Sequence, residues 1–93
     1  MTKLKSNETL LKGALKQVGA SLEMDEVGKR IDELVNHYLV EIATDDSGWQ
    51  KLYLDPSDNR YWELYYPDSE LHGGGAPALK NITLEEAKKT YSF

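Results

Sequence analysis

The sequence predicts an α+β domain: a small antiparallel β-sheet packed against one main α-helix at about residues 24–42, with a short C-terminal helix at about 84–91. Three observations predict it. Residues 24–42 carry one apolar stripe at helical spacing, which needs a sheet to cover it. Two strand-like runs flank the turn-rich segment Asp55-Pro56-Ser57-Asp58-Asn59, the pattern of a hairpin. Thr83-Leu84-Glu85-Glu86 has the spacing of a capping box, which opens a helix. No internal repeat, linker or low-complexity segment divides the 93 residues, so 1–93 reads as a single domain.

In chain order, Leu10, Leu11, Ala14, Leu15 and Val18 have helical spacing, but Gly13 interrupts the run and Gly19 follows it. Periodicity leaves helix and strand both open; we read a strand over 9–18, turning near Gly19 into a second short strand at 20–22. The main helix comes next. Val27, Ile31, Leu34, Val35, Tyr38, Leu39 and Ile42 repeat at three and four residues, and Glu23, Asp25 and Glu26 suit the positive end of its dipole. Gly28 inside it costs about 1 kcal/mol relative to alanine, and the segment 44–48 (TDDSG) stops it. The hairpin comprises 49–54 and 60–66. With Leu54 placed opposite Arg60, Leu52 faces Trp62 and Gln50 faces Leu64 on one side. Trp49 then faces Tyr65, Lys51 faces Glu63 and Tyr53 faces Tyr61 on the other. Residues 77–82 form a further strand beside the hairpin, and the closing helix presents Leu84, Ala87 and Tyr91 on one face.

The absence of cysteine excludes disulfides and thiolate metal sites and suits a reducing compartment. The N-terminus has lysines without a following apolar run, and no stretch approaches the ~18 apolar residues that span a bilayer. A soluble, cytoplasmic protein without membrane association is expected. Net charge is −5, and its distribution is uneven. Residues 41–70 hold eight acids against Lys51 and Arg60, whereas 1–40 are balanced. Such an acidic block opposes nucleic-acid binding, which draws on lysine and arginine, and favours a basic protein partner.

The most distinctive stretch is 59–77, NRYWELYYPDSELHGGGAP. His72-Gly73-Gly74-Gly75 has the look of an esterase oxyanion loop, but those enzymes also need a G-x-S-x-G elbow, which is absent. A phosphate cradle needs a helix opening directly after the glycines, and Ala76-Pro77 leads into a strand instead. A tight reversal of the chain is the simpler use of Gly73, Gly74 and Gly75. Asp68, Glu70 and His72 alternate and could present oxygen and imidazole ligands to a divalent metal, but three ligands in a polar loop carry little weight. His37 reads as a surface or boundary residue. Neither catalysis nor a cofactor nor a resident metal is expected. The aromatic face of Trp49, Tyr53, Tyr61 and Tyr65 is either covered by a helix or the N-terminal strands, or exposed to bind protein. Tyr66, just beyond the ladder, is the aromatic expected to be most accessible.

The residues DDSGWQKLYLDPSDNRYWELYYPDSELHGGGAPAL and the EEAKKTY ending resemble the immunity protein 27 family of bacterial polymorphic toxin systems. NETLLKG and DEVGKRIDEL resemble the family's N-terminal strand and helix, so the likeness covers about residues 7–91. Ala14 and Leu15 stand where the family has a tryptophan, Gly28 where a cysteine is frequent, Asn59 where glycine is common and Ala76 where proline is usual. The resemblance implies a non-enzymatic protein that binds a toxin domain encoded beside it and occludes its active site or locks an inactive form. On that reading the candidate toxin-binding residues are Asp55, Asp58, Tyr61, Glu63, Tyr65, Tyr66, Asp68, Glu70 and His72. Trp49, Arg60, Trp62, Pro67 and the three glycines then form a structural motif, and the partner is a basic toxin domain. A general interaction or regulatory module without a toxin partner is the alternative; a small metal-dependent enzyme using Asp68, Glu70 and His72 is another.

Overall fold

The structure, a computed structural model, describes residues 4, 5, 7–67 and 75–93. Asp68, Glu70, His72, Gly73 and Gly74 therefore lie outside the described residues. The elements are β1 (Leu10–Lys12), β2 (Leu15–Val18), β3 (Ser21–Met24), α1 (Glu26–His37), β4 (Val40–Thr44), β5 (Lys51–Leu54), β6 (Tyr61–Tyr65), β7 (Ala78–Ile82) and α2 (Leu84–Thr90). Five strands form an antiparallel sheet in the order β1-β7-β6-β5-β4, and β2 and β3 form a separate two-stranded ribbon. The α+β class is the direct consequence.

The first strand is not continuous. It breaks at Gly13 and Ala14, so that β1 joins the main sheet and β2 the ribbon. Gly13 N–H donates to Pro77 O at 2.9 Å. A Cβ at Gly13 would lie 2.7 Å from that oxygen and 3.0 Å from Gly28 Cα. Only glycine admits so close an approach between a strand end and a helix. The Gly28 that weakens α1 locally is thus half of a packing contact. Asp25 caps α1, accepting from Gly28 N–H at 2.9 Å, and the same oxygen accepts from Ala14 N–H at 3.1 Å.

The expected helix over 24–42 is too long at both ends. Met24 closes β3, and α1 ends at His37, with the N–H groups of Tyr38 and Leu39 both directed to Leu34 O. Residues 40–44 form an edge strand instead, with Ile42 at a bulge. Periodicity misled because Leu39 remains in the same core as the helix stripe, while Ile42 packs on the other side of the sheet. Pairing the outer edge of β5 outweighs continuing the helix, since its backbone groups need partners.

The hairpin register also differs, by one residue. Tyr53 faces Trp62, Lys51 faces Leu64, Leu52 faces Glu63 and Leu54 faces Tyr61. The reason lies in the turn: Asp55 N–H donates to Arg60 O at 2.9 Å, and Asn59 takes φ 62°. Asparagine tolerates this left-handed conformation, which lets four residues, not five, close the loop. Because strand side chains alternate, the slip moves Tyr53 to the α1 face and Leu52 to the opposite one.

Both faces of the sheet are consequently covered. Under α1, Ile31 and Leu34 pack with Leu11, Tyr53, Trp62, Leu64 and Leu79. Under α2, Ala87 and Tyr91 pack with Leu52 and Ile82, with Tyr61 at the margin. The capping box of α2 forms as the sequence indicates, Thr83 N–H to Glu86 Oε1 at 3.0 Å and Glu86 N–H to Thr83 Oγ1 at 3.1 Å. Leu84, expected on the packed face, is exposed, and Tyr91 lies just past the helix in extended backbone.

Candidate protein-binding surface

The two ends of the hairpin have different chemistry. At the turn end, Asp55 is wholly buried. Its Oδ1 accepts from Tyr38 Oη at 2.6 Å, Ser57 N at 2.9 Å and Ser57 Oγ at 2.8 Å. Burial pushes its carboxyl up, but these hydrogen bonds and the nearby Arg60 outweigh burial and hold it below the usual carboxylate value. The expectation of Asp55 as a contact residue on the surface does not survive this placement: its charge is used internally to join the turn to the end of α1.

Asp58 stays at the surface and accepts from Arg60 Nε at 2.6 Å. The same guanidinium donates to Glu8 O at 2.8 Å and Lys5 O at 3.0 Å, and sits 4.8 Å above the Trp62 ring. Trp62 itself is fully buried. Glu8 in turn accepts two hydrogen bonds of 2.7 Å from Arg30. Arg60, read from sequence as part of a structural motif, thereby straps the N-terminal segment across the sheet with help from Arg30. Nothing local to Glu8 in the sequence signals this partner, 22 residues away.

Along β6, Tyr61, Glu63 and Tyr65 share one face, as alternation requires. That face lies on the side of α2. Glu63 is 6 % exposed, accepts from Tyr91 Oη at 2.8 Å and lies 3.3 Å from Lys80 Nζ. Burial, reinforced by this hydrogen bond, pushes the Tyr91 phenol up. Tyr61 is half-buried beside Phe93, and Tyr65 is half-buried beneath the Lys80 ammonium at 4.9 Å. Glu63, expected with them as a contact, is interior and paired.

The other end is open. Asp45 Oδ1 accepts from Ser47 Oγ, Gly48 N–H and Gln50 N–H at 2.8, 3.0 and 3.2 Å. Burial works against the Asp45 charge, but these bonds prevail and keep its carboxyl below the ordinary value. The knot holds Trp49 outward at 58 % exposure, with its ring 5.7 Å from Tyr66 and nearly perpendicular to it, at 83°. Trp49, assigned from sequence to the structural motif, is the most exposed of the described large hydrophobic residues. Tyr66 and Pro67 are half-buried. Trp49 and Tyr66 are shared by two adjoining clefts. One, of about 410 Å³, is also lined by Asp45, Ser47 and Gln50. The other, of about 370 Å³, reaches Asp32, Val35 and Asn36 on α1 and Lys51. The signal that could have found this site is Trp49 directly after TDDSG, a turn cluster in which a core tryptophan is out of place.

Among the described residues, no three His, Asp or Glu side chains are grouped to hold a metal. No helix among them is long and apolar enough to cross a membrane.

These features define a small α+β domain with one exposed aromatic end. The family model described as Immunity protein 27 matches residues 17–83, well over half of the chain. The chain belongs to the immunity protein 27 family. No curated protein and no solved structure matches it.

Proposed function

We propose that this protein binds a cognate bacterial toxin domain in the cytoplasm and neutralises it by occluding its active site, without performing chemistry itself. Membership of the immunity protein 27 family carries the reading. The acid excess of residues 41–70 supports it, because a negative field attracts a basic partner and speeds encounter. The contact set is drawn from the candidate residues that stay at least partly accessible, Asp58, Tyr61, Tyr65 and Tyr66, together with Asp68, Glu70 and His72. Asp55 and Glu63 act behind that surface by fixing the hairpin.

The test is to co-express the protein with the toxin domain encoded beside it, inactivated so that cells survive, and to purify the pair. A stable complex, and protection of cells carrying the active toxin, is the expected result. Absence of both would overturn the proposal and leave a general interaction module.

A further inference from the structure

We infer that the cleft running from Trp49 and Tyr66 to Asp32 receives an arginine side chain of the partner protein. This deepens the toxin-binding reading and rests on it for the identity of the partner.

Trp49 is 58 % exposed and is held outward by a hydrogen-bonded turn, so its exposure is a property of the fold. Its edge-to-face contact with Tyr66 uses one face of one ring and the edge of the other. Aromatic π surface is therefore left over in a concave setting, and it attracts cations. Asp45 stands in one cleft and Asp32 in the other. Among the described residues, Asp32 is exposed and makes no ion pair, whereas Lys51, the one cation among those lining the clefts, is already 3.5 Å from Glu41. Among the described lining residues the balance of charge is negative around an aromatic centre. A planar guanidinium satisfies both features at once, stacking on a ring while donating to a carboxylate; a compact ammonium stacks less well. Neutral apolar occupants would leave Asp32 and Asp45 beside an uncharged group and gain nothing from them.

The two tryptophans make the cleft directly readable, because Trp62 is fully buried and serves as an internal control. The full-length protein is titrated with N-acetyl-arginine methylamide, and with the citrulline analogue of the same shape without the charge. The indole N–H resonance of Trp49 should shift saturably with arginine only, that of Trp62 should stay fixed, and D32K should suppress the shift. In complex with the neighbouring toxin domain, W49A should lose about thirtyfold in affinity, W49F should keep most of it, and D32K should lose about tenfold. Equal responses to arginine and citrulline, or W49A binding the toxin like the wild type, would overturn the inference. Should the wild type bind no toxin, the toxin reading fails, and the small-molecule titration alone decides whether the cleft takes a guanidinium.

Discussion

At the scale of single residues, similar acids have opposite fates, and partners decide which. Asp55 and Asp58 are three positions apart, yet one is sealed inside and the other pairs at the surface. Asp55→Ala should lower stability by about 2 kcal/mol, because it leaves Tyr38 and Ser57 donors without their acceptor. Tyr38→Phe should cost about 1 kcal/mol, since it removes the hydrogen bond to Asp55 and buries nothing new. Urea denaturation measures both, and a neutral Asp55→Ala would contradict the buried network. Glu8 makes a second case. Hydrogen bonding to Arg30 outweighs burial and brings its carboxyl from 4.5 down to about 2. A folded-state pKa below the unfolded one stabilises above the unfolded value, and that contribution disappears as pH falls. The window is therefore between about pH 4.5 and about pH 2. Glu8→Gln should flatten the acid limb of the stability curve there, by an amount near 1 kcal/mol given the pair's partial exposure. An acid limb identical to that of the wild type would refute the assignment.

Elements meet here through small residues and shared caps. Gly13 allows the end of β1 to lie against α1 and β7, and Asp25 holds the N-terminus of α1 to Ala14 between the ribbon and the sheet. Gly13→Ala should destabilise by about 2 kcal/mol, because its methyl group would meet the Pro77 carbonyl, a backbone atom that cannot swing aside. Thermal and chemical denaturation would read this, and an unchanged midpoint would show that the strand end can shift. Helix α2, with one buried side chain of its own, is retained by Tyr91 at its C-terminal end. Tyr91 packs beneath the sheet and bonds Glu63, so Tyr91→Phe should cost about 1–2 kcal/mol through the carboxylate it leaves behind.

Across the whole molecule, the sheet is covered on both faces, which leaves its ends and edges for contact. The bulge at Ile42 interrupts the regular pairing of the outer strand and makes it a poor template for a further strand. The open aromatic end and the acidic middle third remain. If electrostatics guide the encounter, association with the toxin domain should slow about tenfold from low to high salt while dissociation changes little. Stopped-flow mixing at several ionic strengths separates the two rates, and a salt-independent association would remove the acidic field from the mechanism.

Local patterns in the sequence were sufficient for a good part of this. The alternation in β6 separates Trp62 and Leu64 from Tyr61, Glu63 and Tyr65, Thr83 to Glu86 spells the cap of α2, and the run through HGGGAP resembles the family whose model matches residues 17–83. The first two depend on residues a few positions apart, where backbone geometry alone relates them. The tertiary structure decided the end of α1, the one-residue register, the burial of Asp55 and the exposure of Trp49. None of these is local. The helix stops because β5 needs a partner strand; the register comes from an asparagine turned left-handed. Asp55 is interior because Tyr38 reaches it from the end of the main helix, and Trp49 is outside because a knot of hydrogen bonds on Asp45 holds it there. Short-range chemistry thus specified most of the elements, resemblance along one run pointed to the family, and long-range partners chose which side chains became core and which stayed exposed.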